Sequence, residues 1–175
     1  MTVITRTPEN VNYLQPTKYL LSFDRIGYAQ YFCQDVNIPG LTMAEAKLNS
    51  PLHNYSIAGM NFDYESLDVT FTIDEEAMSW RNIYNWLLAI SSPKSFEQRN
   101  SLQALQNANR NVPLQSYSDA ILSVLSNLNN PLLRIQFYNL FPKSLSSIHF
   151  STKDSADTIL TATASFNFEY FEFLD

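Results

Sequence analysis

The stretch Ser66-Leu67-Asp68-Val69-Thr70-Phe71-Thr72-Ile73 constrains this chain more than any other. Leu67, Val69, Phe71 and Ile73 alternate with Ser66, Asp68, Thr70 and Thr72, so an extended strand there has one apolar face and one polar face. A strand with one dry and one wet face belongs in an antiparallel sheet. The period changes at Asp74. Asp74 is a residue type that caps helices, and Glu75 and Glu76 bring negative charge to a positive first turn. Ala77, Trp80, Ile83, Tyr84 and Leu87 then recur at three- and four-residue spacing. The pattern predicts one amphipathic helix over residues ~74–90, closed off by Ser91-Ser92-Pro93.

The flanking text is mostly β. Residues 1–16, with Pro8 and Pro16, read as an extended N-terminal arm. Tyr19, Leu21 and Phe23 open a hairpin, with a turn at Asp24 to Gly27 and a second strand from Tyr28 to Val36 that Ile38-Pro39-Gly40 stops. Residues 41–60 are lightly charged and read as an excursion, a long loop or a second hairpin, outside the core strands. Ser, Asn and Gln fill 19 of the 40 positions from 91 to 130, and Gly none, which marks a polar insertion. A helix at Phe96–Ala108 and a strand at Ala120–Ser126 are expected inside it. Leu132 to Leu140 is a strand that Phe141-Pro142 should break, and Lys143 to Phe150 a shorter one. Thr158 to Phe173 reads as one long strand, with Leu160, Ala162, Ala164, Phe166, Phe168 and Tyr170 on one side.

The expected fold is mainly β, a single domain over residues 1–175: a two-sheet sandwich or barrel of antiparallel strands with one flanking α-helix. Six or seven strands are expected, with the helix after the fourth. At 175 residues the chain is long enough for a core without disulfides or metal, and Cys33 has no intrachain partner.

Composition narrows function. Charged residues are 16% and the net charge is −6, with no basic cluster to neutralise phosphates, which argues against a nucleic-acid binder. Two His, one Cys and three Gly supply no metal cage, nucleophile triad or phosphate loop, so neither an enzyme nor a cofactor is expected. The start, Met1 to Arg6, carries no apolar signal segment, and the longest apolar run, Trp86 to Ile90, is far short of a membrane span. A soluble protein of a cytosol-like compartment is expected.

Each chemically suggestive group has an ordinary reading beside it. Asp74-Glu75-Glu76 can do acid–base chemistry or simply start a helix, and the helix accounts for all three. His53 and His149 have no partners at metal-ligand spacing, and Cys33 between Phe32 and Gln34 suits a small core residue. Phe166, Phe168, Tyr170, Trp80 and Trp86 would serve a carbohydrate platform, yet they fall on the buried phase of clear periodicities. Wet surface with little charge fits either burial against copies of the same chain or a merely solvated exterior.

The order of several short motifs resembles the tail tube proteins of contractile-tailed bacteriophages, relatives of the haemolysin-coregulated tube proteins of type VI secretion. The motifs are Tyr31-Phe32-Cys33-Gln34, Asn37-Ile38-Pro39-Gly40, Ile57-Ala58-Gly59, Leu67 to Ile73 leading into Asp74-Glu75, and Ile83-Tyr84-Asn85-Trp86. The ending from Leu160 to Phe173 is similar to that family's last strand. The resemblance covers residues 13–90 and 131–175. It implies a structural virion protein, with six copies closing into a ring and rings stacking into an inner tube through which DNA passes without specific binding. Tail sheath and baseplate or neck proteins would be its partners, the virion tail its location and the host cytoplasm its place of assembly. A station at the baseplate or tail end, as initiator, completion protein or terminator, is the alternative; a monomeric sugar-binding barrel is a remoter one.

Under that resemblance residues 41–60 become a subunit-bridging hairpin, with Leu41, Met43, Lys47, Leu48, His53, Ile57 and Met60 at the interface. Asp68, Glu169 and Glu172 are the candidate lumen-facing carboxylates, with solvated outer-face charge as the equal alternative. A negative lumen would let DNA slide rather than stick.

Overall fold

The computed structural model describes residues 13–24, 32–91, 117–153, 155 and 158–174. In chain order the elements are β1 (Tyr19–Phe23), β2 (Cys33–Val36), β3 (Leu41–Asn49), β4 (Asn54–Tyr64), β5 (Leu67–Thr72), α1 (Met78–Ser91), β6 (Ser118–Leu125), β7 (Pro131–Leu145), β8 (Thr161–Asn167) and β9 (Tyr170–Leu174). Seven strands form two antiparallel layers that share β7: β1-β6-β7-β9 and β7-β8-β5-β2. β3 and β4 pair only with each other. The mainly β fold stands, with nine strands and one helix among the described residues, the helix after the fifth strand.

β5 behaves as its alternation requires. Leu67, Val69 and Phe71 are buried, and Val69 and Phe71 face Ala164 and Ala162 of β8 across the ladder. Small residues on β8 leave room for Phe71 and Phe166 to fill the space between the layers. Leu21, Leu122, Ile135 and Phe137 close the core from the other sheet, and Ile83 and Trp86 of α1 complete it.

The fifteen-residue β7 decides the architecture. Its first part pairs with β6 and β9 and its last part with β8, so the strand passes from one sheet to the other. Asn139 sits at the corner with φ 52°, a left-handed conformation that Asn tolerates better than most residues. Its N–H donates to Asp119 Oδ1 at 3.1 Å, and its side-chain amide donates to Glu169. Pro142 therefore does not break the strand. It pairs with Phe166 beside a register shift to Ser144, an irregularity where a missing ladder donor is tolerated. Beyond Leu145 no strand continues to Phe150.

The same corner divides the expected long strand at 158–173. As β7 changes sheet its neighbour must change too, so β8 serves one layer and β9 the other, with Glu169 N–H bonded to Tyr138 O at 3.0 Å at the break. The apolar phase shifts there: Phe168 and Phe171 pack on the core and Tyr170 turns outward, stacked on Tyr138 at 4.6 Å.

Two further expectations are corrected. β1 and β2 are not a hairpin; they are edge strands of different sheets, β1 on β6 and β2 on β5. The helix starts at Met78, because Ala77 adopts φ 51° in a tight turn with its N–H on Asp74 O. Asp74 still caps, from one turn upstream: its carboxylate accepts the Ser79 N–H at 3.3 Å and lies 3.2 Å from Ser79 Oγ. Glu75 and Glu76 precede the helix, and its first turn carries no acid. The buried stripe is Ser79, Ile83, Trp86 and Ala89, while Tyr84 is exposed and stacks on Trp80. Within the insertion, the strand at Ala120–Ser126 is β6. Residues 1–12 of the arm, the turn beyond Asp24 with Tyr28 to Tyr31, and the expected helix at Phe96–Ala108 lie outside the described residues.

Candidate assembly surface

The excursion at 41–60 is a long hairpin. All nine residues of β3 and nine of the eleven of β4 are exposed. β-Rich text at 54–64 makes the second strand, and Ser50 to His53 make the connection. The ladder runs from Leu41 opposite Tyr64 to Asn49 opposite Asn54, with a register shift between Met43 and Glu45. Gly59 sits at that shift, where a Cβ would lie 2.5 Å from the Ala44 carbonyl oxygen. Only glycine lets the two backbones approach so closely.

The base is tied to the body by aromatic packing. Tyr64 packs on Phe168 at 5.3 Å and on Phe171 at 5.5 Å, and the Glu65 N–H donates to Gly40 O at 3.0 Å. Away from the base nothing among the described residues covers it, and Met60 is 100% exposed. Leu41, Met43, Leu48 and Ile57 are likewise open to solvent. Lys47 pairs with Glu45 at 3.7 Å, and His53 stands over the Tyr55 ring at 3.9 Å. All seven expected interface residues thus fall on one hairpin. Tyr55 and Phe62 belong with them and went unremarked; their signal was alternation with Ile57 and Tyr64 along β4.

The three candidate lumen carboxylates do not come together. Asp68 lies on the non-core face of β5 in one sheet, accepting from Ser66 Oγ at 3.2 Å. Glu172 lies on β9 in the other sheet, where its carboxylate accepts from Tyr138 Oη at 3.5 Å. Desolvation and the neighbouring Glu172 charge push the Tyr138 hydroxyl pKa upward. Glu169 is held at the β7 corner by Asn139. Asp68 and Glu172 sit on different layers, so one flat surface does not carry both.

Two titratable groups brace the β1–β2 side. Burial, followed by the charges and hydrogen bond of Cys33, raises Tyr19 to about 12, and burial pushes the Cys33 thiol up. Cys33 packs against the core, as a small strand residue would. Among the described residues no group of three or more His, Cys, Asp or Glu is placed to hold a metal ion.

A family model of phage tail tube proteins matches residues 7–174. The chain belongs to the phage tail tube protein family. It is a structural component of a phage tail, and its place is the virion tail. This tail tube family protein is 27% identical over 168 residues to the tail tube terminator protein of Enterobacteria phage T4, covering 92% of this chain and 89% of that one. Its fold is similar to the tube-terminating cap of the anti-feeding prophage, with a TM-score of 0.61 at 12% identity and 99% of both chains covered. It is also similar to a chain from the sheath/tube terminator of an extracellular contractile injection system in its extended state. There the TM-score is 0.60 at 12% identity, over 95% of this chain and 100% of that one.

Proposed function

We propose that this protein is a tail tube terminator: a ring that ends the tube of a contractile tail, instead of the subunit that builds the tube's length. The observation that carries the reading is the likeness to the phage T4 terminator along nearly the whole of both chains. The expectation of a ring that stacks on itself without limit gives way to the tail-end alternative. Six copies close the ring, one face of it seats on the last tube ring, and sheath or neck proteins meet the other. The role is structural and not enzymatic. DNA crosses the ring without being bound, in keeping with a net charge of −6. Assembly takes place in the host cytoplasm.

The hairpin is the subunit-bridging element. Seven of the large exposed apolar residues of the molecule stand on its strands, and a surface of that kind marks a protein contact.

Negative-stain electron microscopy across concentration and salt tests the station. Single rings that do not stack, and that appear at the ends of added tubes, are expected. Long hollow rods formed by this protein alone would return it to the tube itself.

A further inference from the structure

The apolar side chains of the hairpin do not share one face. β3 runs unbroken from Leu41 to Asn49, so its odd- and even-numbered residues point to opposite sides. Near the base, Leu41 stands opposite Tyr64 and Met43 opposite Phe62. Toward the tip, Ala46 stands opposite Ile57 and Leu48 opposite Tyr55. The base pairs are odd on β3 and the tip pairs even, so the apolar surface changes sides near the register shift at Ala44 and Gly59. A hairpin lying along one flat partner would keep its apolar residues on one face. This one carries two patches that look opposite ways.

The base patch continues onto the body. Phe62 packs on Tyr64 at 5.2 Å, Tyr64 on Phe171 at 5.5 Å, and Phe171 on Phe173 at 5.7 Å. Phe173 is 57% exposed on β9, the edge strand of its sheet. The seam ends in open apolar surface at both ends.

We infer that the tip patch of one copy packs on the base patch of the next copy, head to tail. This rests on the ring reading above and specifies which two surfaces meet. The two patches differ, so the contact is heterologous, and such contacts form a ring when their rotation closes. In a closed ring every tip is covered by a neighbour's base and every base by a neighbour's tip. No patch is left over and no second partner is needed. The charges nearby already answer one another, Lys47 with Glu45, so apolar burial drives the contact. The eighteen exposed strand residues divide between two contacts, so the tip supplies about half of the 20–30 residues that one side of a standard interface uses, and the base adds the seam on the body to its share. A two-stranded hairpin alone is marginal in water, so each copy gains order from its neighbour.

Cross-linking in the assembled protein tests it. In a Cys33→Ser background, Ile57→Cys marks the tip and Phe62→Cys the base. The two sites lie on one strand and face opposite ways, so a short bismaleimide does not bridge them within one copy. The double variant should give a ladder of cross-linked species up to the full ring, and each single variant only uncross-linked chain. Rings that form in the double variant without a ladder would overturn tip-to-base packing and leave the ring reading standing. A cross-linked dimer from Ile57→Cys alone would replace the head-to-tail contact by a symmetric tip-to-tip one. Failure of the Cys33→Ser parent and of the unmodified chain to form rings at all would overturn both.

Discussion

β5 and β4 are both strands of alternating sequence, and they meet opposite fates. On β5, Leu67, Val69 and Phe71 lie at 0–1% exposure beneath a second layer. On β4, Tyr55 and Ile57 stand two residues apart on one side and Phe62 and Tyr64 two apart on the other, yet about half of Ile57 and of Phe62 is open to water. The difference lies in what the chain places opposite. The body has β1, β6 and α1 to cover the inner face of β5 and β8, whereas among the described residues the hairpin has no cover beyond its base. Under the ring reading proposed above, an apolar strand face without a second layer is half an interface, and the other half belongs to a neighbouring copy.

The comparison can be broken at either end. The largest effect on stability belongs to the body. Phe166→Ala removes a ring that touches Phe23 and Trp86 between the layers, and it should cost about 3–5 kcal/mol in denaturant unfolding. A loss under about 1 kcal/mol would mean that the layers are not packed through Phe166.

Next comes the cap. Asp74→Ala should cost about 1 kcal/mol at neutral pH by removing the acceptor of the Ser79 N–H. The effect carries a pH signature. Although burial alone would raise the Asp74 carboxyl, the N–H groups of Met78 and Ser79 outweigh it and hold it below its ordinary value. Its stabilisation is present above the unfolded-state pKa of about 4 and lost as pH falls through the lower folded value. The gap in Tm between parent and variant should narrow as the pH drops below ~4; a constant gap would contradict the assignment.

On the alkaline side, Tyr19 at about 12 stays protonated in the folded protein while an unfolded tyrosine ionises near 10. Its stabilising effect is full below pH 10 and lost as pH rises toward the folded value. Tyr19→Phe should therefore flatten part of the alkaline fall in Tm.

The smallest effect on stability, and the largest on assembly, belongs to the hairpin. Deleting residues 43–57 should shift the unfolding midpoint of the body by no more than about 0.5 kcal/mol, as for surface changes generally, and should leave a monomer by light scattering. Rings of normal size from the deletion would end the bridging role.

Much of the fold was legible because period follows burial. The alternation at 66–73 marks a half-buried strand, and Asp74 followed by three- and four-residue spacing marks the helix. The helix start was misplaced by four residues because the left-handed turn at Ala77 has no glycine to announce it. The break at Pro142 was expected from a local rule that a strand corner overrides, and the division of 158–173 followed from that corner. Five of the hairpin residues, Leu41, Met43, Leu48, Ile57 and Met60, were legible as apolar types in a lightly charged stretch. Their split between two faces follows from parity, Leu41 and Met43 being odd and Leu48 even on one unbroken strand, whereas the register shift at Gly59 was hidden because it belongs to the pairing of the two strands.

By itself, then, the sequence determined the local periods: which stretches are strands, where the helix lies, and that residues 41–60 stand apart from the core. Each follows from side-chain type at spacings of two or near 3.6. The tertiary structure alone decided that β7 serves two sheets, that β1 and β2 part company, and that Asp68 and Glu172 lie on different layers. Those are facts of pairing and register between residues far apart in the chain, and no local period encodes them.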